Sequence, residues 1–469
     1  MGSGHTISWE VAAWLIAALF AIAAEAARRL EAEGFSRASG WLAFGFFAAG
    51  SLIWMFGDTY AYYFGQKEDA LRISYWGSYR EHEMWKEIVA EFRKLNPGVR
   101  VKQEYITDNY DGKVQQLLMS GDAPDVILFQ DEPFPQFVDS RKFQCLDDYC
   151  ARKDDGVNLD RDYWKTAVES FRLNGKVYGI PIWGGECMVI YNRTTFREAG
   201  VPEPGEKWTI DEFLDACKRI TADTDGDGRL DRYGFIIPGW VYWLPFTYAF
   251  GAEYLDPSRT KWTLWGPEAE AQFTFWRDLR YKHHVSPFSY ELTMGGDTAF
   301  MTNRAAMFIS GPWAMPSLNE AGVDFDVAHI PSGPGGHGTR VTWDSLVMPT
   351  DSRKKELAWR FIRFATSLPA ETIVAKYQRS VPALKAAREA FISVNPKVRT
   401  RRFIDAFEYA RIQPITVNWQ MMNREVASET DLMLDDKQTP RETLRRLAEN
   451  IHLKEVFEMP ATGGEGVRP

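Results

Sequence analysis

The stretch PDVILF, residues 124–129, places four consecutive apolar residues after a Pro-Asp pair and runs directly into Gln130, Asp131 and Glu132. An unbroken apolar run of this length suits a strand buried on both faces, as in a parallel sheet, rather than a strand with one wet face. Upstream, residues 110–119 read as a helix ended by Ser120-Gly121, and residues 99–105 as a second strand. Before them comes a helix with Met84, Trp85, Ile88, Val89, Phe92 and Leu95 on one face, stopped by Asn96-Pro97-Gly98. RISYW at 72–76 supplies a first strand. Strands alternating with helices at this spacing predict an α/β fold with right-handed crossovers. Ligands in such sheets sit at the carboxyl ends of strands. Here those ends are Trp76-Gly77-Ser78-Tyr79 and Gln130-Asp131-Glu132.

Downstream, YGIPIWGGECMVIYN at 178–192 reads as a long extended segment closing in a strongly apolar strand. A helix over 208–220 is introduced by Thr209, and an amphipathic helix over 356–367 turns Leu357, Phe361, Ile362 and Phe364 inward. Residues 400–452 read as mainly helical, and PSGPGGHG at 331–338 as a loop.

The 469 residues carry 64 acidic and 55 basic side chains, a net charge of −9 that argues against a general nucleic-acid binder. A mean hydropathy of −0.34 excludes a polytopic channel. The first 65 residues differ from the rest. Residues 7–27 are apolar except for Ser8, Glu10 and Glu25, and a second apolar stretch covers 38–56. Each approaches the roughly 20 residues a helix needs to cross a bilayer. Trp9, Trp14, Trp41, Trp54, Tyr60, Tyr62 and Tyr63 lie near their ends, and Arg28, Arg29 and Arg37 lie between them. This predicts a transmembrane hairpin over 1–65 with its short loop in the cytoplasm and everything after it outside.

Aromatic residues make up 14% of the chain. Trp76, Trp183, Trp240, Trp243, Trp313 and Trp343 each stand beside a Gly, a Pro or another turn signal, with Asp131, Glu132, Glu186 and Asp344 close by. Flat aromatic faces beside carboxylates suit a polyhydroxylated ligand, although each Trp taken alone reads equally as packing. In DTDGDGRLDRYG, residues 223–234, Asp223, Asp225, Asp227 and Asp231 occupy positions 1, 3, 5 and 9 of a calcium loop, with the Arg229 carbonyl at position 7. Gly234 replaces the bidentate Glu at position 12, so the segment reads either as a structural Ca2+ site or as a solvated turn. Cys145 and Cys150 are spaced for a local disulfide, whereas Cys187 and Cys217 read as buried thiols. No nucleophile elbow, phosphate loop, dinucleotide fingerprint or histidine metal pattern is present, which argues against an enzyme. A membrane-tethered glycan-active enzyme stays open as an alternative, because the spacing of paired carboxylates is defined only in space.

Six segments in order carry a resemblance: ISYWG at 73–77, APDVILF at 123–129, YGIPIWGGECMVIYN at 178–192, DTDGDGRLDRYGF at 223–235, FMTNRAAMFISGPW at 300–313 and DFDVAHIPSGP at 324–334. From about residue 71 to 452 the chain resembles the extracellular solute-binding proteins of the maltose- and glycerol-phosphate-type family, which serve ABC importers. The resemblance implies a two-lobed periplasmic-binding-protein type II fold with interleaved lobes, the first over 70–182 and 344–400, the second over 183–343 and 401–457. It implies a cleft in which Trp313 stacks on a mono- or oligosaccharide and Glu186 meets its hydroxyls. Trp76, Ser78, Tyr79, Gln130, Asp131 and Glu132 line the same cleft. The expected partners are ABC permease subunits and the membrane, and the expected location is the outer side of the cytoplasmic membrane. The hairpin departs from the family pattern, and leaves a ligand sensor that transports nothing as a further alternative.

Overall fold

The computed structural model of the protein describes residues 70–256, 261–288, 290–291, 295–413, 416 and 418–453. The hairpin expected over 1–65 lies outside them. Among the described residues no helix is long and apolar enough to cross a membrane.

The first expected pattern is present. Strand β1 (Ala70–Tyr75) leads into helix α1 (Tyr79–Leu95), then β2 (Arg100–Tyr105), α2 (Tyr110–Ser120) and β3 (Val126–Gln130). β1 and β3 are parallel neighbours, with Ile73 opposite Val126. Helix α1 starts where it does because Ser78 caps it and Glu81 returns a carboxylate to the Ser78 amide at 2.7 Å. Its apolar face buries Met84, Trp85, Ile88, Val89 and Phe92 against the sheet.

The chain then returns through β4 (Gly179–Glu186) and crosses to β5 (Met188–Asn192) with Cys187 alone between them. The helix expected over 208–220 is α3 (Ile210–Ile220), with Thr209 as its cap and Phe213, Ala216, Cys217 and Ile220 buried. β6 (Met307–Ser310), α4 (Met315–Glu320), β7 (Phe325–Ala328), β8 (Thr339–Val347) and α5 (Lys355–Ala365) follow. Next come α6 (Leu368–Tyr377), the short β9 (Val381–Pro382), β10 (Ala410–Ile412), α7 (Trp419–Leu434) and α8 (Pro440–Leu453). The larger sheet has the order β9-β4-β8-β3-β1-β2, with β10 added beside β8. The smaller has the order β6-β5-β7. β8 runs antiparallel to both β3 and β4, so the larger sheet is mixed.

Each sheet has its own core. Leu71, Ile73, Ile127, Leu128, Phe92, Phe361 and Trp359 belong to the first. Val189, Tyr191, Phe213, Trp243, Trp276 and Trp419 belong to the second. Trp85, Trp243, Trp276, Trp343, Trp359 and Trp419 are all fully buried, so much of the Trp wealth is packing.

The sheets meet where chain segments cross side by side. The Cys187 amide donates to the Arg340 carbonyl at 3.1 Å, and the Thr339 hydroxyl donates to the Cys187 carbonyl at 2.6 Å. β10 pairs in parallel with the start of β8, Arg340 opposite Arg411. This strand interrupts the mainly helical C-terminal stretch expected over 400–452; three residues, Ala-Arg-Ile, are too few to show a period. Cys145 and Cys150 are both free thiols, which corrects the expected disulfide, while Cys187 and Cys217 are buried as expected.

Candidate functional site

β8 builds the centre of the site. Successive strand residues point to opposite faces, so Arg340, Thr342 and Asp344 share one face. That face forms the wall of a cavity of about 230 Å³, completed by Gln130 at the end of β3 and Glu132 just after it, Gly184 of β4, Arg379 and Ser380 after α6, and Tyr242 and Trp313 from the side of the smaller sheet. Gly184 is required by close approach, since a Cβ there would sit 2.4 Å from the Thr342 carbonyl oxygen.

The polar groups around this cavity are held in place. Trp183 donates its indole N–H to Asp344 Oδ2 at 2.6 Å. Desolvation raises the Asp344 pKa to about 8, opposed by the nearby Arg379 guanidinium. Asp131 lies buried behind the wall, accepting from the Thr342 hydroxyl at 2.9 Å and the Trp343 amide at 3.1 Å. Its pKa rises to about 7 through desolvation and then through the Glu132 charge. Gln413 donates to Glu132 Oε1 at 3.0 Å and accepts from Arg340 Nη1 at 2.6 Å. The Arg340 guanidinium lies 5.1 Å from the Tyr242 ring centre, and its Nε finds no partner among the described residues. The cavity thus offers two guanidiniums, an acid held largely in its neutral form, further acceptors, and two aromatic faces. These groups can take several hydroxyls at once while a ring rests on Trp313.

Of the residues expected to meet ligand, Gln130, Glu132, Trp313 and Asp344 line this cavity. Trp76 lies in an adjoining hollow. Asp131 and Trp183 stand one layer behind, positioning Thr342 and Asp344. Five expectations are corrected. The Ser78 hydroxyl is committed to capping α1 and bonding Glu81. Tyr79 is 73% exposed on the first turn of α1, and lines neither hollow. Trp243 stacks on Trp276 in the second core at 5.0 Å and bonds the Pro238 carbonyl. Trp343 points to the face opposite Asp344, stacks on Phe407 and donates to Thr166. Glu186 is completely buried, and neither of its oxygens has a partner among the other described residues. Burial therefore pushes its pKa well above the carboxylate range. The side chain of Trp240 lies outside the described residues.

Arg340, Thr342, Tyr242, Arg379 and Ser380 were missed. A signal existed for two of them: in TRVTWDS, counting back by twos from Asp344 reaches Thr342 and Arg340.

The Asp-rich loop lies apart from this cavity. One carboxylate oxygen from each of Asp223, Asp225 and Asp227 falls within 4.8 Å of the others. Asp223 also accepts from the amides of Gly226 and Gly228 at 2.7 and 2.8 Å, and both glycines hold positive φ, which this tight turn requires. Asp231 turns its carboxylate to the amides of Thr224 and Asp225. These backbone donors hold the Asp223 and Asp231 carboxyls below the usual range.

Residues 77–371 match the family described as bacterial extracellular solute-binding protein. A maltotriose-binding protein of Pyrococcus abyssi is 23% identical over 297 residues, which span 62% of this chain and 60% of that protein's own length. A multiple sugar-binding protein of Streptococcus mutans is 23% identical over 350 residues, 69% of this chain and 77% of that one. Among solved structures, an ABC substrate-binding protein of Listeria monocytogenes in complex with cycloalternan superposes with a TM-score of 0.76 at 23% identity, covering 83% of this chain and 99% of that one. The maltose/maltodextrin-binding domain of Bdellovibrio bacteriovorus bound to maltotriose gives 0.70 at 22% identity, covering 82% and 99%. At these identities the likeness shows the fold, a two-lobed α/β architecture.

Proposed function

Because the chain belongs to the bacterial extracellular solute-binding protein family, we propose that it captures a carbohydrate outside the cytoplasm and delivers it to an ABC importer. The observation that carries the ligand class is the cavity in which Trp313 and Tyr242 face Glu132, Thr342, Asp344 and Arg340. Relatives named for maltotriose and for multiple sugars support it. The larger sheet with its core serves as one lobe and the smaller sheet with its core as the other, the chain passing between them beside Cys187 and Thr339 rather than at residues 182/183 and 343/344. Ligand bridging the two stabilises the closed form through contacts that the open form lacks. A thermal-shift screen against sugars, polyols and amino acids, followed by titration calorimetry, tests the reading. Stabilisation by amino acids with none by sugars or polyols rejects it.

Residues 1–65 serve as a membrane anchor on this reading, supported by the two apolar stretches and the arginines between them. A reporter enzyme fused after Gly65 is expected to be active only outside the cytoplasm; cytoplasmic activity sinks the topology. The loop from Asp223 to Asp231 takes a structural Ca2+, supported by its three converging carboxylates. Native mass spectrometry with and without chelator checks it, and the absence of bound metal together with an unmoved melting temperature rejects it.

A further inference from the structure

Three lengths of chain cross side by side between the sheets, and Glu186 ends the first of them. Its neighbour Cys187 is bonded through its amide and carbonyl to Arg340 and Thr339 on the second. The third, β10, pairs with the start of β8 and is preceded directly by Tyr409. Glu186 pairs with Val341, which turns its side chain to the face opposite Arg340, Thr342 and Asp344, away from the cavity. It is 0% exposed, and both its oxygens lack a partner among the described residues. A carboxyl so placed is held in its neutral form, because the charged form would lose its water and gain no partner.

The groups on the elements around it do not offset this. Burial, and then the charge of Glu186, push the Tyr409 hydroxyl up, and that hydroxyl is already bonded to His329 Nδ1. The Cys187 thiol is likewise pushed up by burial and by Glu186, against Arg340. Arg340 itself lies on the other face of β8 and bonds Gln413. On the helix Arg401–Ala406, Arg402 is taken up by Glu206 and the Val327 carbonyl, and Asp405 adds a further negative charge beside Tyr409. Glu371 of α6 is itself buried and raised well above the carboxylate range. Lys165 and Glu169, on the helix Lys165–Ser170 that packs on β4, are exposed and pair with each other at 3.7 Å.

In this conformation Arg80 bonds Glu320 and Asn319 bonds Gln378 between elements of different sheets, so the form is a closed one. We propose that Glu186 couples closure of the two sheets to a proton. The sheets close with this carboxyl neutral; rotation about the seam lets water reach it, and its proton passes to bulk water. Since its exposure is already nil, rotation can raise that exposure but not lower it. Burial pushes the closed-form carboxyl well above the ordinary range. The closed form is therefore favoured in full below the ordinary carboxylate value and loses that preference as pH rises above it. One proton moves the closed-to-open ratio by up to about tenfold per pH unit. The coupling uses no group that meets ligand, so it stands whatever the cavity binds.

The test is small-angle neutron scattering from the ligand-free full chain in contrast-matched detergent, in steps between about pH 5 and 8. The closed-to-open ratio, read from the radius of gyration, is expected to fall at least about tenfold in the wild type over that range. In Glu186→Gln and Glu186→Met, neither of which can ionise, the fall is expected to stay below about threefold. Asp131 and Asp344 are raised in the same direction, so the share of Glu186 is the difference between the proteins. A wild-type radius that does not change with pH overturns the coupling without any variant. An equal fall in the wild type and in either folded variant also overturns it, and gives the pH response to Asp131 and Asp344.

Discussion

Trp313 lines the cavity from the second core while Asp344 faces it from the first, so each side of the site can be tested by one substitution. Trp313→Ala removes the stacking face and is expected to weaken ligand binding at least tenfold in calorimetry without loss of fold. Asp344 makes a pH prediction. Its pKa rises from 3.8 to about 8 on folding, so the folded chain keeps a proton that the unfolded chain has released. The stability this proton lends is complete below the unfolded value and is lost as pH climbs towards about 8. Asp131, raised to about 7, acts in the same direction. The melting temperature of Asp344→Asn is therefore expected to fall less steeply than that of the wild type between about pH 5 and 8. An identical slope in the two proteins would contradict the assignment. At this scale the sequence showed which residue types were needed but not which copies. Trp243 and Trp313 both stand beside turn signals, yet one packs under Trp276 and the other faces the cavity.

Among elements, β8 matters most, because it pairs with β3 on one side and β4 on the other while its start carries β10. Its alternation sends Arg340, Thr342 and Asp344 to the site, and Val341, Trp343 and Ser345 to the opposite face. Close packing at this seam makes Gly184 sensitive. In Gly184→Ala the new Cβ meets both the Thr342 carbonyl and the Trp343 ring. Overpacking of this kind costs about 1–3 kcal/mol. A denaturant midpoint equal to wild type would show that the seam yields more easily than the contacts imply. The parallel pair β1 and β3 was legible from its apolar runs, and α1 from its period and stop signal. β8 was not, because TRVTWDS mixes charged and apolar residues and its partners lie far away in the sequence.

Across the whole molecule, Arg80 at the start of α1 reaches Glu320 at the end of α4 at 2.7 Å, and Asn319 donates to Gln378 at 3.1 Å. Both contacts join elements of different sheets near the loop that carries Arg379 and Ser380. Surface pairs of this exposure are worth about 0–1 kcal/mol. Glu320→Ala is thus expected to reduce the ligand-free closed population by no more than about fivefold, read as a larger radius of gyration in X-ray scattering, and to leave the melting temperature nearly unchanged. A fall in melting temperature with no change in radius would assign the pair to stability instead. By itself the sequence determined the α/β alternation, the family pattern over residues 77–371 and the kinds of side chain the site uses. These follow from local periodicity and from the chemistry of single residues. Only the tertiary structure decided which of them meet. Whether a tryptophan packs or faces the cavity, and whether Glu186 lines the cleft or sits buried with no partner among the other described residues, depends on contacts between β3, β4, β8 and the smaller sheet. Those contacts form between residues up to some two hundred positions apart, and no local pattern encodes them.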